Sequence, residues 1–298
     1  MTPPAEQRLI SVSRLTVQHR GASRPAVRDV SLSVARGQVL GVVGESGSGK
    51  STLLRAWLGL IPPTAGVVRW GADELPSLSE RALRERRRLI QPVFQHPSAA
   101  LDPRFTIAQS LAEPFEIHRR PVKDGGLEQL LADVQLSVEV LPQLPRTLSA
   151  GQRQRVAIAR ALALDPEVLL LDEPVSALDV SVQAQVLELL RQLRDRRGLT
   201  MVLVSHDLDV VRALATDVAV LFAGRVIEHG SVSAVTATPL HPYTRALLGT
   251  DVKPAIDRPI ADEPGCAFRA RCPFAQKACE ATPPLPDAAH AAACVMVK

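Results

Sequence analysis

The chain has 298 residues, of which 46% are apolar and only 3% aromatic, and it carries a net charge of +4. That suffices for one large domain and a small one, with a core of Leu, Val and Ala rather than of rings. No apolar run reaches the ~18 residues of a membrane span, and no charged-then-apolar leader opens the chain, so a cytosolic protein that reaches membranes only through partners is expected.

In chain order, the first clear element is Val39-Leu40-Gly41-Val42-Val43, short, apolar and rich in β-branched residues, as a buried parallel strand should be. It runs into Gly44-Glu45-Ser46-Gly47-Ser48-Gly49-Lys50-Ser51, which fits G-x-x-x-x-G-K-[ST]. From Thr52 the pattern is helical and stops near Gly59 and Pro62-Pro63. Glycines between a strand and a helix let backbone N–H groups close around phosphate oxygens, and the helix N-terminus adds its positive dipole end. Lys50 is expected to reach the β- and γ-phosphates and the Ser51 hydroxyl to ligate Mg²⁺, so the ligand is a nucleoside triphosphate.

The basic run at 81–88 reads as a solvated helix face, since no aromatic platform accompanies it, and no nucleic-acid partner is expected. Pro and Gly at 121–126 mark a loop within a helical insert between Gln95 and Ser149. Ser149 opens a helix over 151–164. After Asp165-Pro166, residues 168–171 form another buried strand that ends at Asp172 and Glu173. Asp172 is expected to hold Mg²⁺ through water, and Glu173 to polarise the attacking water as general base. Further strands are read at 202–204 and 218–221, and 226–230 closes the core. The alternation of β and α runs argues for an α/β fold with a mostly parallel sheet.

With Leu148-Ser149-Ala150-Gly151-Gln152 between the two acidic and phosphate motifs, the chain resembles the nucleotide-binding subunit of an ABC transporter over residues 8 to about 235. That resemblance implies a P-loop NTPase core of the ABC type, a helical signature subdomain at about 97–155, and a head-to-tail dimer that traps two ATP molecules. The pentapeptide looks like the family's signature, with Ala150 where Gly is usual. Ser149 and Gly151 of one subunit would then meet the γ-phosphate held by the loop of the other, residues 44–52 through Thr52; Ala150 keeps the backbone donor and is expected to be tolerated, with slower hydrolysis as the alternative. Gln95 looks like the glutamine that senses Mg²⁺ and the attacking water, Ser176-Ala177-Leu178-Asp179 resembles the loop that carries communication between the two subunits, and His206 looks like the switch histidine on the γ-phosphate. His19 stands about where the family stacks an aromatic ring on adenine, which implies weaker adenine affinity or looser base selectivity.

Two features are similar to the oligopeptide, dipeptide and nickel importers. One is Val93-Phe94-Gln95-His96-Pro97-Ser98-Ala99-Ala100-Leu101-Asp102-Pro103-Arg104, and the other is an extension over 236–298 that starts at His241-Pro242-Tyr243-Thr244-Arg245. All four cysteines, Cys266, Cys272, Cys279 and Cys294, lie in that extension with spacing C-x₅-C-x₆-C-x₁₄-C. Neither the tight pairs usual in structural zinc sites nor a C-x-x-C motif is present. Four thiolates suit a [4Fe–4S] cluster, which the resemblance implies, with zinc or free thiols as alternatives. The implied partners are integral-membrane permease chains, a second ATPase subunit of the same or another kind and, indirectly, an extracytoplasmic binding protein for peptide, nickel or a metal chelate. The implied location is the cytoplasmic face of the membrane. The competing class is a soluble ABC ATPase acting on nucleic acid or the ribosome.

Overall fold

A computed structural model describes residues 8–75, 78–250, 252–255, 258, 260 and 264–297. Its contacts divide the chain into two compact units, Met1–Ser77 with Leu203–Lys298, and Leu78–Val202.

The first unit begins with β1 (Arg8–Val17) and β2 (Val27–Ala35), which pair antiparallel. Next come β3 (Val39–Val43), α1 (Lys50–Trp57), β4 (Ala65–Trp70) and β5 (Asp73–Glu74). β1, β2, β4 and β5 make a separate sheet in the order β2-β1-β4-β5. Bulges interrupt the β1–β2 register, and Arg14 and Asp29 stand at φ 49 there. β3 is buried throughout, with neighbours on both sides, and that is why it reads as an unbroken apolar run. Trp57 at the end of α1 is fully buried, and its carbonyl accepts the Trp70 indole N–H at 2.7 Å.

The second unit holds α2 (Glu80–Arg87), β6 (Ile90–Val93), α3 (Pro97–Ala100), α4 (Ile107–Ile117), α5 (Gly126–Asp133), α6 (Ala150–Leu162), β7 (Val168–Asp172) and α7 (Val180–Arg197). β6 and β7 run parallel, in register from Ile90 opposite Val168 to Val93 opposite Leu171. α4 and α6 both open on capping boxes, Thr106 with Gln109 and Ser149 with Gln152. Leu111, Leu131, Ile158 and Leu162 pack the space between the helices and are fully buried. Helices α3 to α6 all lie between β6 and β7 in the chain. α6 begins at Ala150, one residue before the expected start, because Ser149 is the cap, and ends at Leu162, two residues before the expected end.

β8 (Thr200–Ser205) carries the chain back into the first unit, followed by α8 (Leu208–Leu214), β9 (Asp217–Phe222), β10 (Arg225–Ser231), α9 (Val232–Ala237), α10 (Pro242–Leu247) and β11 (Ala291–Ala292). β9 lies parallel to β3 and antiparallel to β10, and β11 adds antiparallel to β10. The fold is thus the expected α/β core with a mostly parallel sheet. The extension packs on the end of β9: Phe268 is 2% exposed, and its ring stands edge-on to Tyr243 (5.5 Å) and to Phe222 of β9 (5.4 Å).

Candidate functional site

In the first unit the turn from β3 to α1, where the sequence expects phosphate to bind, depends on glycine at two positions. Gly44 (φ 156) and Gly49 (φ 107) occupy conformations that L side chains avoid. A Cβ would also lie 2.1 Å from the Leu221 carbonyl oxygen at Gly44 and 2.2 Å from that of Ala26 at Gly49. Ser46 and Gly47 are exposed at the tip, whereas Ser48 and Lys50 are buried. Lys50 is only 5% exposed, and its ammonium donates to the carbonyls of Gly44 (2.7 Å) and Glu45 (2.9 Å), so it is held at the mouth of the loop. Ser51 and Thr52 follow in the first turn of α1, and His19 Nε2 lies 3.1 Å from Thr52 Oγ1. The sequence expects His19 beside the nucleotide, and in the structure it lies against Thr52 in the first turn of α1. His206 is exposed one residue past the end of β8.

In the second unit Asp172 ends β7 and is 7% exposed. Glu173 follows at φ 47, a left-handed conformation that a non-glycine residue adopts at a cost of roughly 1–2 kcal/mol. Ser176 holds that turn, its N–H (3.3 Å) and hydroxyl (3.2 Å) both donating to the Glu173 carbonyl. The Gln95 amide donates to Glu173 Oε2 at 3.1 Å. The predicted sensor and the predicted base are therefore joined directly. The signature segment is set by its cap: Ser149 Oγ accepts from Gln152 N–H at 3.2 Å, and Gln152 Oε1 accepts from Ser149 N–H at 2.9 Å. Ala150 is the first residue of α6 and has no positive φ, so its side chain is accommodated without strain. Gln95, Ala150, Gln154, Pro174 and Leu178 line one cavity of about 180 Å³. Asp179 caps α7, accepting from Val182 N–H at 3.0 Å, and the Ser181 hydroxyl bond holds its carboxyl below the usual range.

All four cysteines are free thiols and line one cavity of about 10 Å³ together with His241 and Phe268. Burial pushes Cys266, Cys272 and Cys294 up. Sequence reasoning gave His241 no role. It is 1% exposed, its Nδ1 accepts from Tyr243 N–H at 3.0 Å, and Nε2 therefore carries the ring proton with no partner. An orphaned N–H beside four sulfurs suits a sulfur-rich group as far as donor chemistry goes. Among the described residues, however, no three His, Cys, Asp or Glu side chains stand close enough to hold a metal ion, and the cavity has room for about one water. A bound cluster requires the walls of this cavity to move outward.

The profile described as ABC transporter matches residues 27–176, and that of the oligopeptide/dipeptide transporter C-terminal region matches residues 227–279. The chain belongs to the ABC transporter family. It is an ABC-type ATPase, as cassettes of this family are. A Brucella ovis protein named as a peptide import ATP-binding protein is 44% identical over 297 residues, covering 94% of each chain. Another so named, from Brucella abortus, is 44% identical over 274 residues, 87% of this chain and 82% of its own. Among solved structures, a dimeric cassette in a post-hydrolysis state with ADP and Pi superposes with a TM-score of 0.67 at 31% identity, covering 75% of this chain and 98% of that one. The cassette cbiO1 of Clostridium perfringens, part of an ABC transporter complex, gives 0.70 at 26% identity over 81% of this chain and 96% of its own. Among the described residues no helix is long and apolar enough to cross a membrane.

Proposed function

We propose that this chain is the ATP-hydrolysing subunit of a binding-protein-dependent importer for peptides, with nickel or a metal chelate as the related solutes the same extension suits. One observation carries the reading: a phosphate loop and a capped signature helix share the chain with a tail that matches the oligopeptide/dipeptide transporter C-terminal region. Residues 1–235 are the nucleotide-binding domain, with its helical subdomain at about 97–155, and 236–298 are the extension. Residues 44–52 hold the triphosphate, and His19 packs on the base. Ser51, Gln95 and Asp172 serve Mg²⁺, which supplies charge neutralisation on the phosphates. Glu173 takes the proton of the attacking water, Gln95 orients that water, Lys50 and His206 contact the γ-phosphate, and Ser149 to Gln152 together with Asp179 act across a dimer of ATPase subunits. Hydrolysis reopens that dimer and so drives permease chains between their two orientations at the cytoplasmic face of the membrane. Cys266, Cys272, Cys279 and Cys294 are the residues that would hold a [4Fe–4S] cluster; the unpartnered His241 N–H on the cavity they line supports the reading, and a bound cluster requires that cavity to widen.

Tagged Glu173→Gln, which keeps ATP bound, should copurify from solubilised membranes with two integral-membrane chains and an ATPase partner. Iron and acid-labile sulfide measured on the same sample test the cluster, and their absence removes it. Recovery only from the soluble fraction with ribosomes or nucleic acid overturns the importer reading.

A further inference from the structure

Glu45, the second residue of the phosphate loop, is gripped at each of its polar groups. Its carbonyl accepts from Lys50 Nζ at 2.9 Å and from Ser48 N–H at 3.2 Å, both within the loop. Its other two groups are held from the far end of the chain. The backbone N–H donates to the Tyr243 hydroxyl at 2.8 Å, and both carboxylate oxygens lie 3.4 Å from Arg271 Nη1.

Neither distant residue is loosely placed. Tyr243 sits in α10, is 6% exposed, and is wedged between Phe222 (4.6 Å) and Phe268 (5.5 Å). Burial pushes its phenol up to about 12, so it stays a neutral hydroxyl. The Arg271 side chain is 18% exposed, and its Nε donates to the Arg258 carbonyl at 2.7 Å, which fixes the direction of the guanidinium. Arg271 directly precedes Cys272, whose N–H donates to the Phe268 carbonyl at 2.9 Å.

A buried tyrosine needs a partner somewhere, so the first bond alone would say little. Two arms of different chemistry, from segments nearly thirty residues apart, converging on a residue whose carbonyl, with that of Gly44, holds Lys50 is a different matter. We propose that Tyr243 and Arg271 are positioning residues of the nucleotide site, acting through Glu45 to hold the phosphate loop in its binding conformation. The cysteine-bearing extension is on this account a working part of the ATP site. The inference rests on residues 44–51 binding ATP. Preorganisation of this kind shows in affinity, because a loop that must be ordered on binding spends binding energy to do so. Coupling is reciprocal, so ATP must in turn steady the segment around Arg271.

The test uses the full chain with Mg-ATP, comparing wild type with Tyr243→Phe, Arg271→Gln and Arg271→Lys. Phenylalanine keeps the ring in its aromatic cluster, so folding is preserved, and thermal melts confirm it. The loss of one hydrogen bond or ion pair should weaken ATP binding about three- to tenfold for Tyr243→Phe and Arg271→Gln, with partial recovery for Arg271→Lys. In wild type, ATP should slow hydrogen exchange across 265–275, and that slowing should vanish in Tyr243→Phe and Arg271→Gln. A merely structural pair of contacts would not couple exchange there to nucleotide. If wild type binds ATP and both variants bind it within twofold, the positioning role is overturned alone. If wild type binds no ATP, the nucleotide reading falls and this proposal with it.

Discussion

Replacing Glu228 by Gln tests how the extension is fastened to the ATPase core. Glu228 lies in β10 and is 0% exposed. One carboxylate oxygen accepts from Leu240 N–H (2.9 Å) and His290 Nε2 (2.8 Å), the other from His241 N–H (2.8 Å). The one side chain thus ties β10 to the approach to α10 and to the segment just before β11. Glutamine has the same shape but only one acceptor oxygen, so its NH₂ must face a donor. An orphaned buried donor costs about 1–3 kcal/mol, and the surviving bonds lose the strength that the charge gave them, so the total is about 2–4 kcal/mol. At about 2–4 °C per kcal/mol for chains near this size, the melting temperature should fall by about 5–15 °C. Hydrogen exchange should accelerate across 240–250 and 290–294 while α4 and α6 keep their protection. A melting temperature within about 1 °C of wild type, with exchange unchanged in those segments, would refute the idea that this carboxylate anchors the extension.

Glu173→Gln should bind ATP as wild type does and hydrolyse it at least about 10²-fold more slowly in single-turnover assays, the scale of a positioned base; unchanged turnover moves the base elsewhere. His19→Tyr should tighten ATP binding measured by calorimetry, because the larger ring offers adenine more stacking area from a position beside Thr52, and equal affinities remove His19 from the base site. Ser149→Ala should destabilise the protein by about 1 kcal/mol, read by denaturant titration, because it breaks the cap that starts α6; an unchanged midpoint would show that the cap carries no stability.

What was legible in the sequence follows from local physics. β3, β7, β8 and β9 are buried along nearly their whole length, so each reads as an apolar run, and the phosphate loop is announced by glycines that its own backbone requires. β1, β2 and β4 were not read. Their antiparallel alternation is broken by bulges, with Arg14 and Asp29 in left-handed conformations, so no steady period of two survives. The link between Gln95 and Glu173 was legible only as two roles, since no local pattern says that side chains so far apart in the chain will touch. The holds on Glu45 by Tyr243 and Arg271 span about two hundred residues and belong to no motif. Nor could the sequence show that Glu228, a charged residue in a closing strand, is wholly buried, because its partners are two backbone N–H groups and the His290 ring, all brought in by the extension.

The few aromatic residues show why the extension and the phosphate loop are tied together. Of six Phe, two Trp and one Tyr in the chain, Phe222, Tyr243 and Phe268 form one cluster. Phe222 ends β9, and the residues on either side of it support the phosphate loop. The Leu221 carbonyl is the atom that leaves no room for a Cβ at Gly44, and Gly224 donates its N–H to the Ser48 carbonyl at 2.8 Å. The end of β9 is therefore a floor shared by two structures, with the loop on its backbone and the extension on its ring. Rings bury the most surface per residue, and a short extension with little helix or strand needs that surface to stay docked. An extension anchored at Phe222 is held beside the phosphate loop, and Glu45 is the loop residue within its reach. Movement of the cysteine segment would accordingly be felt first at Glu45 and, through its carbonyl, at Lys50.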